Sequence, residues 1–238
     1  MSGMRINRFI ASTGEISRRK ADELLREGRV RINGRPAELG DSIDPGADRV
    51  TVDGKPVSPQ RPAYLAMYKP RNVVTTLNDP RGRPCVRDHI PPKYAGVFPI
   101  GRLDFDAEGL LLLTNDGALA QVLHHPSFSV PKVYVVKVSP RAEKAQLRKM
   151  REGVLLDGAV TRPAQVEETG ARSGETTLKI TLRQGLKNQI KRMAQAVGLQ
   201  VTAIKRISVG PVTVEGLRPG EVRELKPREI QMLHKTSE

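Results

Sequence analysis

"GRLDFDAEGLLLLTNDG", Gly101 to Gly117, sets four acidic side chains around the uninterrupted run Leu110 to Leu113. Four consecutive leucines leave no polar face, so the run reads as a strand buried inside a sheet. Asn115-Asp116-Gly117 then reads as a turn into the next helix, with Asp116 a helix-start residue. Asp104, Asp106 and Glu108 precede the strand on a loop. If that loop is extended, their side chains point the same way; if it is bent, they separate.

Those carboxylates stand in a strongly basic chain. Forty Lys and Arg oppose 26 Asp and Glu, a net charge of +14. Such a surplus favours a polyanion, because each neutralised phosphate releases condensed counterions. RNA, DNA and anionic membrane are the classes this admits. No basic amphipathic helix carries Trp or Phe anchors and no apolar stretch reaches the roughly 20 residues of a membrane helix, which sets the membrane aside. Four Tyr and four Phe are too few for an extended base-stacking platform, so recognition of bases falls to very few side chains. Cys85 is alone, giving no disulfide framework and fitting a reducing cytoplasm, and no signal-peptide core follows Met1. With His89, His124, His125 and His234 as the four histidines, no ligand set has zinc-site spacing, so neither metal nor cofactor is expected.

At 238 residues two domains are expected. In the first, Ile6, Phe9 and Ile10 share one helical face and Gly14 ends the helix. Ser17 can N-cap a second helix, 18–27, whose apolar side holds Ala21, Leu24 and Leu25. The first turn of that helix is Arg18-Arg19-Lys20, where cations oppose the positive end of the helix dipole and so imply a compensating anion. Two alternating strands follow, 29–32 and 49–52, ending in Asn33-Gly34 and Asp53-Gly54 turns. Arg18, Arg19, Lys20, Arg26 and Arg29 form the expected polyanion-binding face, an RNA-binding one on the resemblance given below. The Pro-rich stretch 56–62 can continue neither ladder nor helix. The expected division is therefore 4–56, a linker 57–63, a larger domain 64–232 and a tail 233–238.

In the larger domain, strands are predicted over 64–68, 73–76, 109–114, 133–138, 178–182, 201–207 and 212–214, with helices over 118–123, 142–150 and 189–197. This order predicts an α+β domain, a mixed and mainly antiparallel sheet with flanking helices.

"INRFIASTGEISRRKADELLREGRVRING" resembles the S4 RNA-binding domain. The Gly101–Gly117 motif, together with Lys69-Pro70, Asp79 to Pro84, Lys132-Val133-Tyr134 and Gly185 to Met193, resembles the RsuA/RluB/RluE/RluF-type ribosomal RNA pseudouridine synthases. Such an enzyme detaches a uracil from its ribose, turns it over and rejoins it through C5. The resemblance implies that Asp104 is the catalytic aspartate, acting as a nucleophile at ribose C1′ or base C6 or supporting deprotonation of the sugar. It implies that Lys191 is the basic partner, with Arg192 and Lys187 as the other candidates, and that Tyr134 stacks on the flipped uracil. Arg102 would fill the gap the extruded base leaves. Lys132, Lys187 and Arg192 join it as expected RNA contacts. Two departures are visible: Asn72 stands where a Gly is frequent, and Asn188 where Arg or His often precedes the Gln. Asn tolerates a positive φ, so the first turn is expected to survive.

The implied partner is ribosomal RNA or a ribosomal assembly intermediate, met by a cytoplasmic monomer, with Gln184-Gly185-Leu186 favouring the large subunit and its 23S rRNA. Two carboxylates also suit a glycosidase, but the basic charge and the lack of aromatic sugar platforms argue against one. The remaining alternative is a non-catalytic S4-type RNA-binding or ribosome-assembly protein.

Overall fold

A computed structural model describes residues 3–124 and 128–235; His125 and the last residues of the expected tail, 236–238, lie outside the described residues. The chain divides into two compact units. One holds the described residues up to Ala63 with Pro91–Phe98 and Thr114–Asp116. The other holds Tyr64–Ile90, Pro99–Leu113 and the described residues from Gly117 onward.

In the first unit β1 (Met4–Arg5), α1 (Ile6–Ala11) and α2 (Arg18–Arg26) precede β2 (Val30–Ile32), β3 (Arg35–Pro36), β4 (Ser42–Ile43), β5 (Val50–Val52) and β6 (Lys55–Pro56). Ser17 caps α2, its side chain accepting from the Lys20 N–H at 3.2 Å. No acid stands in that helix's first turn, so the dipole is opposed there as the sequence predicts. The two hairpin turns form at Asn33-Gly34 (φ +51°, +85°) and Asp53-Gly54 (φ +52°, +76°), the paired positive values that suit tight antiparallel connections. Ile6, Phe9, Ile10, Leu24, Leu25, Val30 and Val50 make the core.

The second unit is built on a sheet of nine strands among the described residues. In chain order it contains β7 (Tyr64–Lys69), β8 (Phe98–Ile100), β9 (Glu108–Thr114), α3 (Gly117–His124), β10 (Lys132–Ser139), α4 (Lys144–Glu152), β11 (Leu155–Leu156) and β12 (Ala159–Val160). Then come β13 (Gln165–Arg172), β14 (Glu175–Leu182), α5 (Gln189–Ala196), β15 (Gln200–Val209), β16 (Val212–Thr213), β17 (Val222–Glu224) and α6 (Pro227–Lys235). The spatial order is β13-β14-β10-β15-β9-β7-β17. β15 and β9 run parallel; β13–β14, β14–β10, β10–β15 and β17–β7 are antiparallel. The expected mixed, mainly antiparallel sheet with flanking helices is what forms.

Leu110 to Leu113 are 0–2% exposed, so β9 is covered on both faces as four leucines require. One apolar layer joins Val136, Val138, Leu178 and Ile180 to Leu147 and Met150 of α4 and Met193 of α5. The other joins Leu110 and Leu112 to Leu119 and Leu123 of α3 and Leu233 of α6. At Gly109, paired with Arg206, β9 and β15 approach too closely for a side chain. A Cβ there would lie 2.2 Å from the Arg206 carbonyl oxygen, and the residue's φ is +108°.

One expected strand does not form. Residues 73–76 make a single bridge, Val74 with Cys85, inside a loop. Val74 spends its N–H on Pro84 O and its C=O on Val86 N, while Thr75 turns its hydroxyl to the loop that carries Asp104. β-branched residues here support a crossing of loops rather than a ladder.

Candidate active site

The loop between β8 and β9 presents Asp104, and its main chain is fixed residue by residue. Thr75 Oγ1 donates to Leu103 O at 2.7 Å and accepts from Leu103 N–H at 3.2 Å. Asn72 N–H donates to Phe105 O at 2.7 Å, and Ala107 N–H to Asp104 O at 3.2 Å. Asn72 takes φ +61°, the turn that Asn permits. From beneath, the Lys69 ammonium donates to Ala107 O at 2.7 Å and to Pro70 O at 2.8 Å. The loop is bent, yet Asp104 and Asp106 still converge, because both reach Lys191.

Lys191 comes from α5, whose opposite side is anchored by Ile190, Met193 and Ala194. Its Nζ lies 2.7 and 2.8 Å from the two Asp106 carboxylate oxygens and 3.8 Å from Asp104 Oδ2. The hydrogen bond from Lys191 holds the Asp106 carboxyl below the usual carboxylate range. Asp104 has a different principal partner. With its amide nitrogen turned to the carboxylate, Asn188 donates to both oxygens of Asp104, at 3.0 and 3.1 Å. Asn188 is also the N-cap of α5, in the left-handed region at φ +51°. Asp104 is 41% exposed at the side chain, so it is held from two sides and still reachable.

Behind the loop lies buried positive charge. Lys69 is fully buried, and burial pushes its pKa down to about 8; Asp104, Asp106 and Glu108 pull it the other way and Arg206 pushes it further down. Arg206, 3% exposed on β15, donates from Nε to Leu110 O at 2.7 Å, and its Nη1 lies 3.5 Å from Arg102 O. Burial, with Arg206 adding to it, also lowers the Lys132 pKa; that ammonium donates to Val130 O at 3.3 Å. Tyr134 stands opposite Arg206 in the β10–β15 register and is partly buried against the core that includes Val136 and Ile180.

Of the residues expected at the site, the structure therefore brings Asp104 and Lys191 together, and ties Tyr134's strand to the Arg102 carbonyl through Arg206. Arg102 and Lys187 are exposed, Lys187 in the turn before Asn188. Arg192 points to Asp157 instead, at 2.5 Å. In the first unit Arg18, Arg19 and Arg26 are exposed, Lys20 pairs with Glu23, and Arg29 pairs with Glu27 and Asp53.

A family model described as RNA pseudouridylate synthase matches residues 63–196, and one described as S4 domain matches 4–48. The chain belongs to the RNA pseudouridylate synthase family. This pseudouridine synthase is 39% identical over 232 residues to ribosomal large subunit pseudouridine synthase B of Bacillus subtilis, covering 96% of this chain and 95% of that one. It is 40% identical over 237 residues to an uncharacterized RNA pseudouridine synthase of Aquifex aeolicus, covering 99% and 95%. A crystal structure of a pseudouridylate synthase superimposes with a TM-score of 0.70 at 29% identity, over 97% of this chain and 99% of that one. The synthase is thus an isomerase with an RNA-binding S4 domain, and the binding-only alternative is set aside.

Sequence reasoning assigned no role to four residues of this pseudouridine synthase's site. Asn188 carried a usable signal, since Asn is both a helix cap and a residue that accepts positive φ. Asp106 was visible as one of three loop acids, and Lys69 in its Lys-Pro pair. Nothing local marks Arg206, which reads as one more polar position on a strand.

Proposed function

We propose that the protein converts one uridine of ribosomal RNA, in the 23S rRNA of the large subunit, to pseudouridine, with Asp104 as the reacting group. The observation that carries the reading is a reachable carboxylate held by the Asn188 amide and Lys191 on a loop whose main chain is locked. In the reaction the N1–C1′ bond breaks, the uracil turns over, C5 bonds to C1′, the C5 proton leaves and N1 takes up a proton. Attack at C1′, attack at C6 and proton removal from the sugar each need an oxygen with a free lone pair beside the extruded nucleotide, and Asp104 offers it. Lys191 positions the acid loop, Tyr134 stacks on the uracil, and Arg102 occupies the place the uracil leaves. Lys187, exposed in the turn before Asn188, contributes cationic surface toward the phosphates; Lys132 and Arg192 can join it only by leaving the Val130 carbonyl and the Asp157 carboxylate that now hold them. The domain reading is an S4-like unit over 4–56, a linker 57–63 and a catalytic domain from 64, working as a cytoplasmic monomer; the expected boundary between 232 and a tail 233–238 moves outward, because α6 runs to Lys235 and buries Leu233 in the core.

Release of tritium from 23S rRNA labelled at uridine C5 tests the reaction, and mapping pseudouridines in cells lacking the protein tests the target. Loss of a single large-subunit pseudouridine is expected. An unchanged 23S map would overturn the assignment of substrate, and absence of tritium release would overturn the chemistry.

The S4 unit contributes phosphate contacts through Arg18, Arg19 and Lys20. Replacing all three by Ala should weaken RNA binding and reduce the slope of log K against log salt by about 2, roughly 0.7–0.9 for each lost contact. Lys20 contributes least of the three because Glu23 already holds its ammonium at 2.9 Å. A salt titration that gives parallel lines for the native and triply substituted proteins would remove these residues from the interface.

A further inference from the structure

Phe105 follows Asp104 directly and is 44% exposed, in a chain with only four Phe. Singly exposed apolar side chains are ordinary on protein surfaces. This one differs in where it sits. Its own carbonyl accepts from Asn72 N–H, Leu103 on one side is bonded twice to Thr75, and Ala107 on the other is held by Lys69. A main chain fixed at these points fixes the Cα–Cβ direction between them and leaves the ring only its own rotamers, so the side chain leaves the loop at a set place. Leu186, 47% exposed, comes from the turn leading into Asn188, the partner of Asp104. Each of the two segments that build the site therefore exposes a large apolar side chain within two residues of a residue that makes it.

Extruding a uridine strips one face of each neighbouring base of its stacking partner. An exposed ring beside the reacting group can replace that partner, and every base has a face that accepts it. We propose that Phe105 is a base-stacking subsite, its ring lying against the base next to the extruded uridine, with Leu186 as a second apolar contact. The inference rests on the pseudouridine-forming reading of Asp104; of the two base faces that extrusion strips, Arg102 in the vacated position covers one and Phe105 the other.

A cycle between Phe105 and the flanking base tests it, using 23S rRNA transcripts labelled at C5. On the intact transcript, Phe105→Ala should lower kcat/KM about 5- to 100-fold, the loss of one base–aromatic contact, while Phe105→Tyr stays within about 3-fold. With an abasic nucleotide placed immediately 5′ or 3′ of the target uridine, one of the two RNAs should reduce the cost of Phe105→Ala to less than about 2-fold. An equal cost on the intact and both abasic RNAs, or no cost on any, overturns the inference. If the native protein releases no tritium from the intact transcript, the underlying reading fails instead, and the same cycle measured in Kd still decides whether Phe105 meets a flanking base.

Discussion

Asp104→Asn is expected to abolish pseudouridine formation, lowering the rate at least about 10⁴-fold, while RNA affinity stays within about 3-fold of the native value. The side chains have the same shape, so the turn closed by Ala107 N–H and the lock between Thr75 and Leu103 persist. Asn188 can present its amide oxygen to the new amide nitrogen and keep the contact now made at 3.0 and 3.1 Å. What is lost is the anionic oxygen itself, and an amide oxygen is neither a competent nucleophile nor a base at neutral pH. Affinity moves little because it rests on cations spread over both units, and the substitution removes a negative charge facing a polyanion. Tritium release and filter binding at one salt concentration check both halves. Residual turnover within about 10-fold of the native rate would shift the reaction to another acid, and Asp106 is the one within reach of the same lysine.

Asn188 shows how far the sequence could be read. Its departure from the family pattern marked the position without revealing its use, since a cap that also donates to Asp104 depends on where the loop of another element passes. Local patterns carried the rest of the fold where burial imposes a period. The four leucines and the alternating 133–138 stretch lie inside the observed strands, and Asn33-Gly34 and Asp53-Gly54 turn as their chemistry dictates. They fell short where burial is one-sided or sparse. β13 is mostly exposed and carries Glu167, Glu168 and Arg172, a composition that protects a sheet edge and hides it from a search for apolar alternation. α6 has one fully buried residue, Leu233, and announced itself only by Pro227 at its start. Residues 73–76 failed in the opposite sense: their β-branched side chains satisfy strand propensity, but their hydrogen bonds are spent on Pro84, Val86 and Leu103.

The same limit applies to charge. Net basicity spoke for a polyanion, but it could not separate cations that face solvent from those that shape the interior. Arg18 and Arg19 are exposed, whereas Lys69 and Arg206 are buried and bond to carbonyls of the loop and strand around Asp104. Two roles for one residue type, contact with phosphate and support of a catalytic loop, become distinguishable only once burial is known.

Lys69→Met should lower kcat about 10²-fold, the cost of letting a reacting group drift by about 1 Å, with RNA affinity changed little. The ammonium spans Pro70 O and Ala107 O, so its removal frees the C-terminal end of the Asp104 loop while Thr75 and Asn72 still hold the other end. A purely structural spacer would give no pH signature, but Lys69 gives one. Its pKa in the fold is about 8 against 10.5 for the free side chain, with burial as the main cause. Below about 8 the lysine is protonated in both the folded and unfolded chains, and the penalty for burying it is constant. Between about 8 and 10.5 the folded chain has released the proton and the unfolded chain still binds it, so Lys69's contribution to stability rises with pH through that window. Denaturant unfolding of the free protein should therefore show the native chain gaining on Lys69→Met by about 3 kcal/mol from pH 8 to pH 10.5, a little under 2.5 pH units at about 1.4 kcal/mol each because one state is half-titrated at each end of the window. Parallel stability curves for the two proteins across that range would mean that the ammonium is not held in a desolvated site, and the account of the loop's anchorage would fall with it.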